Sequence, residues 1–367
     1  MSEDVLEIDV ARELDRQLAV CNACRYCEGF CAVFGAAQLR MAIGDGDVAY
    51  LANLCHDCRM CYDACMFTPP HEYAINIPAV MADARVATYE RFSRPALLGR
   101  MVRAPRGVAL GAVAVSTAIV VLAIVLTAGP PALANAQHGP GAFYRVLPYA
   151  VMVLGGFAVA AYALACWIAG AVAYAREIGG RERFVTAASV GAAMREALAL
   201  TYLRGGGGGC YDIDRRSGRR RFFHGLVFWG FIADLAATTS AAIEQDLFHR
   251  LPPYALLSVP VVLGTGGGIA LAVGVAGLVA VKRRSDARPT DRRMVVLDYA
   301  FLALLELVAL TGLALLAFCG TTAMGTLLAI HLGSVAALFV TAPYGKFVHF
   351  VYRSIALAKH AHERVAR

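Results

Sequence analysis

The sequence predicts an α-helical integral membrane protein of six transmembrane helices behind a small, mainly helical N-terminal domain, and three observations carry that prediction. Mean hydropathy is +0.58, and 59% of the 367 residues are hydrophobic while only 17% are charged; ordinary soluble domains carry nearer a quarter. Six apolar stretches reach or approach the ~20 residues that a helix needs to cross a bilayer, at roughly 108–128, 146–174, 222–243, 254–281, 295–318 and 322–345. Eight of the eleven cysteines are crowded between residues 21 and 65. The composition shift near residue 105 divides the chain into a cysteine-bearing domain, 1–105, and a membrane domain, 106–367.

In the first domain, Val5, Leu6, Val10, Leu14 and Leu18 recur at helical spacing and predict a helix from Val5 to Val20 that leads into the first cysteines. The opening MSEDVLEIDVARELDRQ is acidic and lacks a charged stretch followed by an apolar core, so no cleaved signal is expected. That places the domain in the reducing cytoplasm, where clustered cysteines read as metal ligands before disulfides. Gly-Asp-Gly-Asp at 44–47 signals a turn, with Asp47 expected to cap a helix through Leu54. Thr68-Pro69-Pro70-His71 and Asn76-Ile77-Pro78 are expected to end local structure.

The cysteines form two copies of one pattern, Cys21-Asn-Ala-Cys24-Arg-Tyr-Cys27-Glu-Gly-Phe-Cys31 and Cys55-His-Asp-Cys58-Arg-Met-Cys61-Tyr-Asp-Ala-Cys65. CxxCxxCxxxC sets three thiolates around one [4Fe-4S] cube and sends the fourth to a second cube. Two [4Fe-4S] clusters are therefore expected, one on Cys21, Cys24, Cys27 and Cys65, the other on Cys55, Cys58, Cys61 and Cys31. Structural zinc would leave the third cysteine of each motif idle. Ala32 and Met66 stand where a proline commonly follows the fourth cysteine. The domain reads as two-[4Fe-4S] ferredoxin-like, and its chemistry as one-electron transfer.

Basic residues order the membrane domain. Five arginines lie at 91–107, ten at 175–221, six Lys/Arg at 282–293 and five at 346–367, whereas 129–145 holds only Arg145 and 244–253 only Arg250. Alternate loops are basic, as the positive-inside rule requires if both termini and the cysteine domain are cytoplasmic. The net charge of +7 thus reflects topology, and nucleic acid is excluded as a partner. The cytoplasmic loop 175–221 is expected to hold an amphipathic helix from Arg183 to about Tyr202. Beyond it, Gly205–Gly209 reads as a linker or as backbone that approaches a cofactor, and Cys210 is undecided. Neither this run nor Gly264–Gly268 follows a strand, so no dinucleotide fingerprint is present.

Histidines near the spans carry the remaining chemistry. His224 opens the third span and His349 follows the sixth, both at the cytoplasmic end, where two imidazoles from different helices suit the axial positions of a b-type haem. The competing reading makes each an interfacial anchor. His331 lies 18 residues before His349, five helical turns on an unbroken helix, which Pro343 interrupts. His331 is a haem-ligand candidate without an evident mate; His249 reads as solvent-exposed. His56 and His71 tune a cluster or simply pack. Asp234 and Glu306 are intramembrane acids with no firm role, and Cys166 and Cys319 are small packing residues.

These residues give the chain a resemblance, over nearly its full length, to the tricarballylate-utilisation protein B (CitB-type) family of membrane iron-sulfur proteins. It rests on Leu54-Cys55-His56-Asp57-Cys58-Arg59-Met60-Cys61, Pro69-Pro70-His71-Glu72-Tyr73-Ala74-Ile75-Asn76-Ile77-Pro78, Tyr202-Leu203 before the glycine run, and Arg221-Phe222-Phe223-His224-Gly225-Leu226-Val227-Phe228-Trp229-Gly230-Phe231. Pro343-Tyr344-Gly345-Lys346-Phe347-Val348-His349 is also similar to the last haem-binding helix of the cytochrome b subunit of respiratory nitrate reductase; of that subunit's paired histidines on an earlier helix, only His224 has a counterpart here, leaving one haem or two. The resemblance implies a multi-pass protein of the bacterial cytoplasmic (inner) membrane. It would reoxidise the flavin of a partner FAD-dependent dehydrogenase (tricarballylate dehydrogenase-like) and pass electrons through the clusters and haem to quinone. Relatives fused to such a flavoprotein imply an alternative, electron transfer in cobalamin (precorrin) ring contraction. An iron-sulfur redox sensor is the rival from a different class. On the main reading the chain is an electron-transfer subunit of an oxidoreductase system, without substrate-carbon chemistry of its own.

Overall fold

A computed structural model describes residues 3–180, 182–204, 210–212 and 215–365. The cysteine domain is built from α1 (Glu3–Cys24), α2 (Ala32–Ala37), α3 (Asp45–Leu54), α4 (Met60–Asp63), α5 (Ile77–Phe92) and α6 (Ala96–Gly99). Helix α1 runs past the expected end at Val20 and carries Cys21 and Cys24 on its last turn. At α3, Gly44 is the N-cap, and Asp47 at the third helical position accepts the Gly44 N–H at 3.3 Å. Asp47 thus holds the helix start from inside rather than capping it. Asn76-Ile77-Pro78, expected as a stop, is a start: the Asn76 side chain accepts the Ala79 N–H at 3.3 Å, and Pro78 occupies the first turn, where a helix has no use for its missing donor.

Among the described residues, six helices are long and apolar enough to cross a membrane: α7 (Pro105–Ala128), α9 (Tyr149–Gly179), α11 (Arg219–Asp246), α12 (Val259–Arg284), α13 (Arg292–Ala317) and α14 (Met324–Thr341) with the 3-10 turn that extends it to Tyr344. Their outer faces present Leu110, Leu126, Leu154, Phe157, Leu235 and Val262, each more than half exposed. Such a surface is tolerable only against lipid. A short helix α8 (Ala142–Val146) precedes α9. At 31 residues, α9 is about 46 Å long; it outruns the hydrocarbon and enters the cysteine domain, where Tyr174 Oη donates to the Ala49 carbonyl at 3.2 Å.

Helices α11 and α12 approach closely because small residues let them. A side chain on Gly274 would put Cβ 2.8 Å from the Val227 nitrogen, and one on Gly277 would collide with the Phe223 ring. Between α9 and α11, α10 (Ala187–Leu198) is shorter than the expected Arg183–Tyr202 because Thr186 caps it, accepting the Ser189 N–H at 3.1 Å. An antiparallel ribbon follows, β1 (Cys210–Asp212) with β2 (Arg215–Ser217), which helical periodicity did not signal. The glycine run 205–209 and the Cys210 side chain lie outside the described residues.

The sixth span does not continue to His349. Ala342–Tyr344 and Lys346–Val348 are 3-10 turns on either side of an extended Gly345, and a new helix, α15 (His349–Val365), begins at His349 itself. Pro343 cannot donate to the preceding turn, so the chain turns there. Helix α15 then packs on α3, α9 and α10. One apolar core consequently runs from Leu14, Leu51 and Met81 through Tyr174 and Leu297 to Tyr352 and Leu357, joining the cysteine domain to the cysteine-side ends of the membrane helices.

Candidate functional site

The cysteines regroup across their motifs. Around Cys21 the strongest charged influences are Cys27, Cys65 and Cys24; burial, then those neighbours, push its thiol up to about 12. Burial followed by Cys65 and Cys24 pushes Cys27 up to about 11. Cys24 is exposed, as are Tyr26 before Cys27 and Met66 after Cys65, and the other three cysteines are partly exposed, so this quartet reaches solvent.

Cys31, Cys55, Cys58 and Cys61 line a single cavity with Phe30, Phe34 and His56. Burial, then Cys55, push the Cys31 thiol up to about 12, against a pull from the Val33 and Phe34 N–H groups at the start of α2. Cys61 is raised by burial, then by Cys58, Cys31 and Cys55. This second quartet lies deeper: Cys58 is buried where its counterpart Cys24 is exposed, and Cys31, Cys55 and Cys61 are partly exposed. The repeat extends to the backbone: Arg25 and Arg59, each directly after the second cysteine of its motif, both take left-handed φ, 57° and 66°. An arginine there is strained and held in place; Arg59 Nη1 donates to the Asp286 carbonyl at 2.6 Å.

Among the described residues, no three His, Cys, Asp or Glu side chains close around a single metal ion. A four-iron cube asks for a wider arrangement, one thiolate at each of four separated corners. Two separate quartets of soft donors fit that demand.

Guanidinium groups from three elements surround the inner quartet. Arg85 of α5, 6% exposed, donates to the carbonyls of Ala52 at 2.9 Å and Cys55 at 2.5 Å. Arg353 of α15 donates to the Leu54 carbonyl at 3.3 Å, and Arg220 of α11 bonds the Asp57 carbonyl and approaches its carboxylate at 3.5 Å. Burial, then Arg85 beside it, push Arg353 down to about 10. Arg85 is buried and Arg353 partly buried; Asp57 and Asp298 already act on Arg85, and the thiolates of a bound cluster would add a further anion. His56 is held well below its usual range, by burial first and then by Arg353, Arg220 and Arg85.

The two expected haem-ligand histidines that end up together are His224 and His349. Arg220 and His224 are one turn apart on α11, and His349 and Arg353 one turn apart on α15; residues four apart share a helix face. The His349 Nδ1–H donates to the Lys346 carbonyl at 2.8 Å, which leaves Nε2 as the electron-pair donor. His349 is pushed down to about 3 by burial, then by Lys346 and by His224. His224 Nδ1 is buried without a hydrogen-bond partner. Phe347 gathers Trp167, Phe231, Phe301 and Phe350 around it, with ring centres 5.3–5.5 Å away. Neutral imidazoles bordered by aromatic rings suit a haem.

His331 does not join them. It faces α13, where its Nδ1 meets Thr311 Oγ1 at 3.1 Å and Gly312 leaves room for the ring; its partner is a hydroxyl, and the break at Pro343 removes the shared helix face. His249 is exposed, and His71 Nδ1 accepts the Tyr73 N–H at 3.1 Å as a turn residue. Asp234 faces Gly267, and Glu306 Oε2 is buried without a hydrogen-bond partner. Buried Cys166 packs against the Tyr344 hydroxyl, 3.6 Å away. Sequence reasoning missed Arg85, Arg220 and Arg353, and also Asp298, which bridges Lys282 at 2.6 Å and Lys346 at 2.9 Å. For Arg220 and Arg353 the signal was present, as a basic residue four positions from each histidine.

Residues 102–367 match the family described as Citrate utilization protein B, and residues 14–91 match the Citrate utilization protein B Fer4-like domain. Citrate utilization protein B of Escherichia coli is 42% identical over 359 residues, which is 96% of this chain and 92% of that one. No solved structure matches.

Proposed function

The chain belongs to the citrate utilization protein B family, an iron-sulfur membrane protein by its Fer4-like domain and six apolar helices, and from that membership we propose that it is an electron conduit from a flavoprotein to quinone. The outer quartet, Cys21, Cys24, Cys27 and Cys65, holds one [4Fe-4S] cluster; the inner quartet, Cys31, Cys55, Cys58 and Cys61, holds the other. His224 and His349 hold a b-type haem. His331 is the candidate ligand of a second haem and would need a mate from outside its present contacts. The donor is the reduced flavin of a FAD-dependent dehydrogenase of the tricarballylate dehydrogenase type, and the acceptor is a quinone in the bilayer.

The observation that carries this reading is the order of parts: a quartet that reaches solvent at Cys24, a second with Cys58 buried, arginines on its loop, and the histidine pair one turn from two of them. When bound, clusters and haem supply one-electron carriers, which split the two-electron oxidation of a flavin. The chain's own residues do the rest. Thiolates fix the clusters, Lys346 orients His349, and the aromatic rings around Phe347 supply an apolar border. The alternation of basic loops supports a bacterial cytoplasmic membrane location with both ends and the cysteine domain in the cytoplasm.

The test uses the full chain in membranes with a tricarballylate dehydrogenase-type flavoprotein and its substrate. Quinone reduction should require all three components, and His349→Ala should abolish a reduced b-type haem band while iron and sulfide content is unchanged. Quinone reduction without this chain, or an intact haem band in His349→Ala, would overturn the reading.

A further inference from the structure

The two quartets sit in opposite electrostatic surroundings. At the outer one, the groups that act most strongly on Cys21 and Cys27 are other thiols, and Cys24 meets solvent. Arg25 there is exposed and turns back to the Asn22 carbonyl at 3.2 Å; Arg16 is paired with Glu13 at 2.6 Å. At the inner one, Arg59 and Arg85 are 7% and 6% exposed, and Arg353 and Arg220 arrive from α15 and α11. Two carboxylates act on these arginines: Asp57, 3.9 Å from Arg59 and 3.5 Å from Arg220, and Asp298, which acts on Arg85 but is itself bridged by Lys282 and Lys346. Positive charge therefore exceeds negative around the inner thiols.

Reducing a four-iron, four-thiolate cluster adds a negative charge to a group that is already negative. Burial alone penalises that form and would lower the reduction potential. A buried cation nearby favours it, and does so strongly because solvent and salt screen little there. Charges near the outer quartet are screened by water.

We propose that Arg353, with Arg85, sets the direction of electron flow by making the inner quartet's cluster the higher-potential one, so that an electron received at the outer quartet settles beside His224 and His349. This rests on the reading of both quartets as [4Fe-4S] sites. In the transfer, the outer cluster loses one electron and the inner cluster gains it; no bond and no proton changes place. The original electron comes from a reduced flavin. Placement of Arg353 one turn from His349 sets the charge between the inner cluster and the next acceptor.

Anaerobic redox titration of the detergent-solubilised full chain, read by electron paramagnetic resonance, tests this. An aqueous dysprosium complex identifies the outer cluster by relaxing the solvent-facing signal. Wild type should show two midpoints with the inner one higher. Arg353→Gln should move the inner midpoint down and leave the outer one in place; Arg353→Lys should keep the inner one near wild type. An unmoved inner midpoint in Arg353→Gln, an equal shift of both, or a lysine variant as low as glutamine would overturn the proposal. Should Arg353→Gln fail to load iron, Arg220→Gln should give the same selective fall, and no fall would be equally fatal. A wild type without two cluster signals sinks the two-cluster reading itself, whereas two signals with an indifferent Arg353→Gln sink only the charge assignment.

Discussion

At the scale of single residues, the decisive feature is the crossing of Cys31 and Cys65. Each stands in one motif and lies with the cysteines of the other: Cys31 shares a cavity with Cys55, Cys58 and Cys61, and Cys65 acts on Cys21 and Cys27. Cys31→Ala should therefore cost the inner cluster while three cysteines of its own motif keep the outer one, and Cys65→Ala should do the reverse. Iron content should fall by about half in each, and the solvent-relaxed resonance should survive in Cys31→Ala only. Loss of each motif's own cluster would contradict the crossing. The cysteine spacing made the grouping of these eight residues legible, because three of each four stand close together in one stretch of chain. Arg85 was not, since it reaches carbonyls 33 and 30 positions away in sequence; Arg353 offered only its spacing from His349, and the carbonyl it reaches lies 299 positions away. His331 shows the limit from the other side: its intramembrane position flagged it, but only packing supplies Thr311 as its partner.

At the scale of helices, long apolar segments were plain because a span needs little beyond length and hydropathy. Ends and breaks were less so. Asn76-Ile77-Pro78 carries the same residues whether it stops one element or begins another, and the Asn76 bond to the Ala79 N–H decides it. Helix α15 went unnoticed inside what looked like a basic tail, although Tyr352, Ala356 and Leu357 already carried an apolar stripe at helical spacing. Its polar side is tied down as well: Glu363 binds Arg40 at 2.7 Å and accepts from Tyr50 at 2.9 Å. The close α11–α12 contact gives a prediction about the site. Gly277→Leu would drive a side chain into Phe223, the neighbour of His224. Overpacking of this kind costs about 1–3 kcal/mol, and moving α11 displaces its histidine. Thermal unfolding should come earlier and the haem band should weaken, while iron and sulfide stay constant; a variant with wild-type melting and spectrum would show that the contact does not position His224.

At the scale of the whole molecule, six helices among the described residues are long and apolar enough to cross a membrane, and the core continues from α1 through α3 and α5 into α9, α13 and α15. The composition shift near residue 105 coincides with the start of α7 at Pro105, yet it concealed how firmly the two parts are joined. That union puts the inner quartet against the helices that bear His224 and His349, and no property of either part alone would reveal it. Whether the two quartets carry iron is decided by iron, sulfide and zinc analysis of anaerobically purified full-length protein. The expected result is about eight iron and about eight acid-labile sulfide per chain, since each cube contains four of each. Zinc at those cysteines, or no metal at all, would contradict the assignment of iron.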